Sequence, residues 1–107
     1  MNTADLIPSD YLRTVAPEVA EAFKTMRAHI SEGPLDYETR EYVIIGGFAV
    51  AGFEEPFRIH VGRMLDRGVS PEKLRHAVMS LLGASSALFP VVLALKWLDA
   101  EIASRAG

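Results

Sequence analysis

From Pro17 onward the apolar residues recur at helical spacing. Val19, Phe23, Met26 and Ile30 fall three or four apart and form one stripe, with Glu18, Glu21, Lys24 and Arg27 on the other faces. Pro17 suits a first helical position and Gly33-Pro34 ends the pattern, which predicts a helix over Pro17 to Ser31. Asp36 is a good N-cap for a second helix, with Glu38 in its first turn. That helix continues through YVIIGGFAVAG, which is apolar on all sides and so reads as a fully buried helix. Gly46-Gly47 weakens it by about 1 kcal/mol per glycine against alanine, so a neighbouring helix is expected to cross there. A third helix is expected from Glu54 or Pro56 to about Arg67, its inward stripe made of Phe57, Val61, Met64 and Leu65, and Gly68 stops it. Ser70-Pro71-Glu72 opens a fourth, with Leu74, Val78, Leu81 and Leu82 inward. The pattern loosens at Gly83-Ala84-Ser85-Ser86. A fifth helix restarts near Pro90 and runs to about Ala103, with Val91, Leu95, Leu98 and Ile102 as its face and Trp97 beside it.

No segment alternates apolar and polar residues long enough for a strand. The fold class expected is therefore all-α, a single-domain bundle of about five to six helices spanning residues 1–107. Half the residues are hydrophobic, a high share for 107 residues. A domain so small cannot cover that surface alone, so other copies of the chain are expected to cover part of it. The net charge of −3, with no run of Lys or Arg, gives no nucleic-acid footprint. The longest apolar run, Tyr42 to Phe53, has 12 residues; a bilayer span needs about 20. The N-terminal stretch MNTADLIPSDYL lacks the basic flank and apolar core of a signal peptide, so a cytoplasmic protein is expected. There is no cysteine, which removes disulfides, thiol redox chemistry and thiolate metal sites.

Polar residues on apolar surfaces are where chemistry is expected. Glu41 lies at the mouth of the second helix. His60 follows Phe57 by three residues and precedes Met64 by four, so it shares the inward face of the third helix. A carboxylate and an imidazole facing one pocket can move protons near neutral pH. Arg40, beside Glu41, and Arg58, two residues before His60, could hold a substrate carboxylate. Each residue also has a plainer reading. Glu41 could be a first-turn acid favoured by the helix dipole or a partner of Arg40 or Arg58, His60 a hydrogen-bonded core histidine, and the arginines solvated or ion-paired. Glu54 and Glu55 read as acids complementing the third helix's N-terminus. Neither His29 nor His76 shows metal-ligand spacing, so neither a metal nor a cofactor is expected.

The span LDYETREYVIIGGFAVAGFEEPFRIHVGRMLDRGVSPEKLRHAV resembles the carboxymuconolactone decarboxylase family. That family's pattern of Leu-Asp-x-x-x-Arg-Glu, an apolar helix, a histidine-bearing helix and Gly-x-(Ser/Thr)-x-Glu-x-(Ile/Leu) is matched by Leu35-Asp36, Arg40-Glu41, His60 and Gly68 to Leu74. The resemblance implies an all-helical, alkylhydroperoxidase D-like fold that assembles as a trimer or hexamer. One branch of the family uses Cys-x-x-Cys-x-x-x-His for peroxide chemistry. Here those cysteine positions hold Phe53 and Pro56, so thiol peroxidase activity is excluded. The other branch includes γ-carboxymuconolactone decarboxylase, with an acidic stretch before Phe-Arg-x-His, and Glu54-Glu55-Pro56-Phe57-Arg58-Ile59-His60 resembles it.

What this implies is a cofactor-free acid–base lyase acting on a small carboxylated lactone or related carbonyl compound. His60 would be the general acid, Glu41 would orient it, and Arg40 or Arg58 would bind an anionic group. The chain departs from the family where Ser86-Ala87-Leu88-Phe89-Pro90 replaces a Tyr-x-Gly-x-Pro type segment. That departure implies a more apolar pocket and leaves two alternatives open: another lyase or isomerase reaction on a more apolar substrate, or a non-catalytic helical oligomer that binds a ligand or partner.

Overall fold

The computed structural model describes residues 7–106. Among these described residues are six helices: α1 (Pro8–Val15), α2 (Pro17–Ser31), α3 (Tyr37–Ala51), α4 (Glu54–Asp66), α5 (Pro71–Met79) and α6 (Leu88–Ala106). Among the described residues there is no strand, only an isolated bridge between Leu82 and Ser86. The fold is all-α. The chain divides into two compact units, Met1–Pro34 and Leu35–Gly107.

In the first unit α1 packs on α2. Helix α1 lies outside the elements expected from the pattern. Its signals are a proline in its first positions and Asp10 in its first turn, but it buries no residue. Tyr11, Leu12 and Val15 do fall at helical spacing, over a stretch too short for that pattern to mark a helix by itself. The stripe on α2 exists as spaced, yet Val19, Phe23, Met26 and Ile30 are all exposed, and Ala20 is the helix's only buried residue.

The second unit begins where Asp36 caps α3. Its Oδ1 accepts the Thr39 N–H at 2.8 Å, and these hydrogen bonds hold the Asp36 carboxyl below its usual range. The helix ends in a tight reversal. Gly52 takes φ 79°, its N–H bonds to Ala49 O, and the Phe53 N–H bonds to Phe48 O at 3.0 Å. The rings of Phe48 and Phe53 meet across the turn with centroids 6.5 Å apart. This reversal sets α4 back against α3. A side chain at Gly52 would be forced into the left-handed region, so Gly52→Ala is expected to cost about 1–2 kcal/mol. The measurement is a lower urea midpoint at an unchanged m value; an unmoved midpoint would mean that the turn does not depend on this conformation.

Four helices converge on one core. Ile45 and Ala49 of α3, Phe57, Val61 and Met64 of α4, Leu74 and Val78 of α5, and Val91, Ala94, Trp97 and Leu98 of α6 are its buried members, with Val69 from the α4–α5 connection. The α4 stripe is inward as expected, with Leu65 at its margin. Three expectations need correction. Leu82 lies beyond the end of α5 at Met79 and is 44% exposed. Helix α3 is not wholly buried: Val43 and Val50 are 65% and 45% exposed. A Cβ at Gly46 would meet Leu81 at 3.7 Å, whereas one at Gly47 would meet nothing within 4 Å. Hence only one of the two glycines has such a neighbour among the described residues. Helix α6 starts at Leu88, and its inward face holds Ala94 and Trp97 in place of Leu95 and Ile102, which are half-buried. The helix packs on α3, α4 and α5 at once, so its buried arc is wider than one stripe.

Candidate functional site

Glu41 starts the second turn of α3, and Glu38 is the first-turn acid. The dipole reading of Glu41 therefore loses its position. Glu41, Ile45 and Ala49 fall at four-residue spacing and are the buried row of the helix. Glu41 is only 5% exposed and is the sole charged residue among the buried described residues. An ionised side chain taken from water in this way requires a partner. His60 supplies it from α4, with Nδ1 2.8 Å from Glu41 Oε1. With Glu41 ionised, the carboxylate only accepts, and the proton of this bond then belongs to Nδ1, with Nε2 as the ring's second nitrogen.

The imidazole is half-buried, its side chain 23% exposed. On its apolar flank the Phe48 ring lies 5.4 Å away at 46°. Phe53, at one of the positions where redox relatives carry a thiol, extends that aromatic surface. The structure thus brings together two of the four expected site residues, Glu41 and His60.

The arginines lie elsewhere or are otherwise engaged. Residues two apart on a helix face different ways, and Arg58 turns to α6, where its Nε donates to Glu101 Oε1 at 2.7 Å. It also pairs with Glu54 at 3.5 Å. The Glu101 bond is the main reason that the guanidinium holds its proton even more tightly than usual. Glu101 in turn pairs with Arg105, and Arg105 with Asp66, closing a polar strap between α4 and α6. Gly62 makes room for it, since a Cβ there would strike the Arg105 guanidinium. Arg40 donates from Nη1 to Leu35 O at 3.2 Å, with its guanidinium 5.9 Å from the Tyr37 ring centroid.

Sequence reasoning missed Tyr37. It precedes Glu41 by four residues, which places both on one side of α3. The Arg67 guanidinium sits 3.8 Å from its ring centroid. The i, i+4 spacing from Glu41 was the signal that could have found it. Another polar group on α3 stands apart from the pair. Tyr42 donates to Glu38 Oε2 at 3.0 Å, and Lys73 of α5 lies 3.5 Å from the same oxygen. Burial, followed by the Glu38 bond and charge, pushes the Tyr42 hydroxyl up to about 12. Among the described residues no group of three or more His, Asp or Glu side chains is placed to hold a metal ion.

No helix among the described residues is long and apolar enough to cross a membrane. No curated protein and no solved structure matches the chain. A family model does, over residues 17–100, and it covers both members of the buried pair. With that match over most of its length, the chain belongs to the carboxymuconolactone decarboxylase family.

Proposed function

We propose that the protein is a cofactor-free acid–base lyase whose working pair is His60 and Glu41. The 2.8 Å contact between His60 Nδ1 and the buried Glu41 carboxylate carries this reading. The chemistry asks little of the protein. In a β,γ- or vinylogous lactone acid the C–COO⁻ bond breaks, CO₂ leaves, and the electron pair passes into the conjugated carbonyl as an enolate. The substrate is its own electron sink. The protein binds the anion, stabilises the enolate and returns a proton to carbon. His60 Nε2–H of the imidazolium delivers that proton, and the neutral ring regains one from water. Glu41 fixes the ring and stabilises its charged form throughout.

The surroundings of His60 favour a second reading within the same chemistry. Its flank is aromatic, through Phe48, and Arg58 is committed to Glu101. Such a site suits a more apolar carbonyl compound, on which the pair would catalyse a different elimination or an isomerisation. A screen of lactone acids for CO₂ release, run beside His60→Ala and Glu41→Gln, separates the two. Release by the wild-type chain that falls in both variants supports the decarboxylase. No release from any lactone acid moves the assignment to the second reading.

We also propose that the working form is a homo-oligomer, a trimer or hexamer. The exposed Val43 and Val50 on α3, with open space at Gly47 between them, support it, as does the uncovered stripe of α2. Light scattering coupled to gel filtration is expected to give a multiple of the 11.7 kDa chain mass; a strict monomer would contradict the proposal.

A further inference from the structure

We infer that Glu101 of α6 is a positioning residue for His60: it anchors a chain of ion pairs that fixes the roll of α4 about its own axis, and with it the direction in which the imidazole leaves the helix. The inference deepens the acid–base reading above and rests on the Glu41–His60 pair.

Glu54, Arg58, Gly62 and Asp66 follow one another at four-residue spacing and form one row along α4. Two residues turn a helix by about 200°, so Arg58 and Gly62, two places either side of His60, lie on the far side from it. The buried stripe of Phe57, Val61 and Met64 runs between that row and His60. Helix α4 packs on both α3 and α6. Apolar contact is non-directional, so the stripe by itself leaves the helix some freedom to roll. The contacts that remove this freedom are directional and stand at its two margins. One is the bond from His60 to Glu41. The other is the polar strap to α6.

Glu101 is the centre of the strap. Its side chain is 14% exposed, and each carboxylate oxygen has its own arginine. Arg58 Nε donates to Oε1 at 2.7 Å, and Arg105 Nη1 donates to Oε2. Arg105 then reaches Asp66, its Nε donating to Oδ1 at 3.0 Å and its Nη2 to Oδ2 at 3.5 Å. One acid on α6 thereby holds α4 at two places, Arg58 and Asp66, four residues to either side of Gly62. The glycine is what lets Arg105 through. A Cβ there would come within 2.9 Å of Arg105 Cζ and closer still to Nη2. Glycine inside a helix weakens it, and room for this guanidinium accounts for its presence. An ion pair as open as Arg105–Asp66 adds little to stability, so the role to test is geometric. Glu101 touches no substrate in this scheme and acts only through the orientation of α4.

The test reads the His60 ring in the full chain by ¹⁵N NMR, because the ring shifts report which nitrogen carries the proton. The parent chain is expected to show one tautomer, Nδ1–H, with widely separated Nδ1 and Nε2 shifts. Glu101→Gln keeps the shape of the acid and weakens both arginine contacts. It is expected to draw the two ¹⁵N shifts together as the tautomers mix. Gly62→Ala keeps every charge and displaces Arg105, and the same response is expected. Alanine also favours the helix, so weaker helix formation would not explain that response. Asp99→Asn is the control. It removes the 3.3 Å pair between Arg75 of α5 and Asp99 of α6 without touching α4, and should leave the ring unchanged. Unchanged His60 shifts in Glu101→Gln, or in Gly62→Ala should Glu101→Gln not fold, would overturn the inference. An equal change in Asp99→Asn would overturn it too, as a general loosening of α6. Glu41→Ala tells this failure from that of the broader reading. A ring that keeps Nδ1–H in Glu41→Ala means that the pair does not orient it. A ring that responds to Glu41→Ala and to neither strap variant removes only the role of Glu101.

Discussion

Phe57→Ala is expected to lower the unfolding free energy by about 3–5 kcal/mol, the range for deleting a buried phenylalanine. Phe57 has no exposed surface and lies on the inward face of α4. Its ring meets Trp97 of α6 at 5.8 Å and 60°, a tilted aromatic pair. Deletion forfeits the transfer of the ring from water and leaves a cavity among helices that cannot close fully. Phe57→Leu fills most of that space and should cost much less. Urea denaturation of the two variants measures both. If the alanine variant loses less than about 1 kcal/mol, the site collapses freely and the ring does not organise this core. The cavity would also open three residues from His60, so the variant is expected to loosen the Glu41–His60 pair along with the fold.

The same residue illustrates what the sequence made legible. The spacing of Phe57, Val61 and Met64 gives the inward face of α4, and the structure buries all three. The place of His60 on that face follows from the same spacing, but its meeting with Glu41 is visible only in the structure, after Gly52 reverses the chain. The fate of Arg58 does not follow, because its partner Glu101 lies 43 residues away, and local pattern carries no information on long-range ion pairs. Helix α3 shows a different limit. Apolar residues on every side say that each face avoids water, not which faces the same chain covers; Val43 and Val50 are left exposed. Tyr37 stayed hidden because an aromatic residue beside a helix start resembles ordinary packing until the Arg67 guanidinium is seen over its ring.

His60→Ala is expected to cut turnover by about 10²–10⁴-fold, the range for loss of a positioned proton donor. The measurement is CO₂ release from a lactone acid that the wild-type chain decarboxylates. Glu41→Gln keeps the shape of the acid and removes its charge, so the imidazolium that donates the proton loses its counter-ion. Its loss should run in the same direction. The double variant should be no slower than His60→Ala alone, because Glu41 acts only through the ring, and residues that work as one unit are not additive. Stability gives an independent reading of the pair. His60→Ala leaves a carboxylate that is 5% exposed without its Nδ1–H donor, and an orphaned buried acceptor costs about 1–3 kcal/mol. Removing Glu41 as well takes away the orphaned group, so Glu41→Leu should recover part of that stability in the His60→Ala background and none of the turnover. Stability would then recover while turnover stayed lost, which a histidine serving only the core would not produce. Full turnover by His60→Ala would remove the pair from the reaction, whatever its effect on folding.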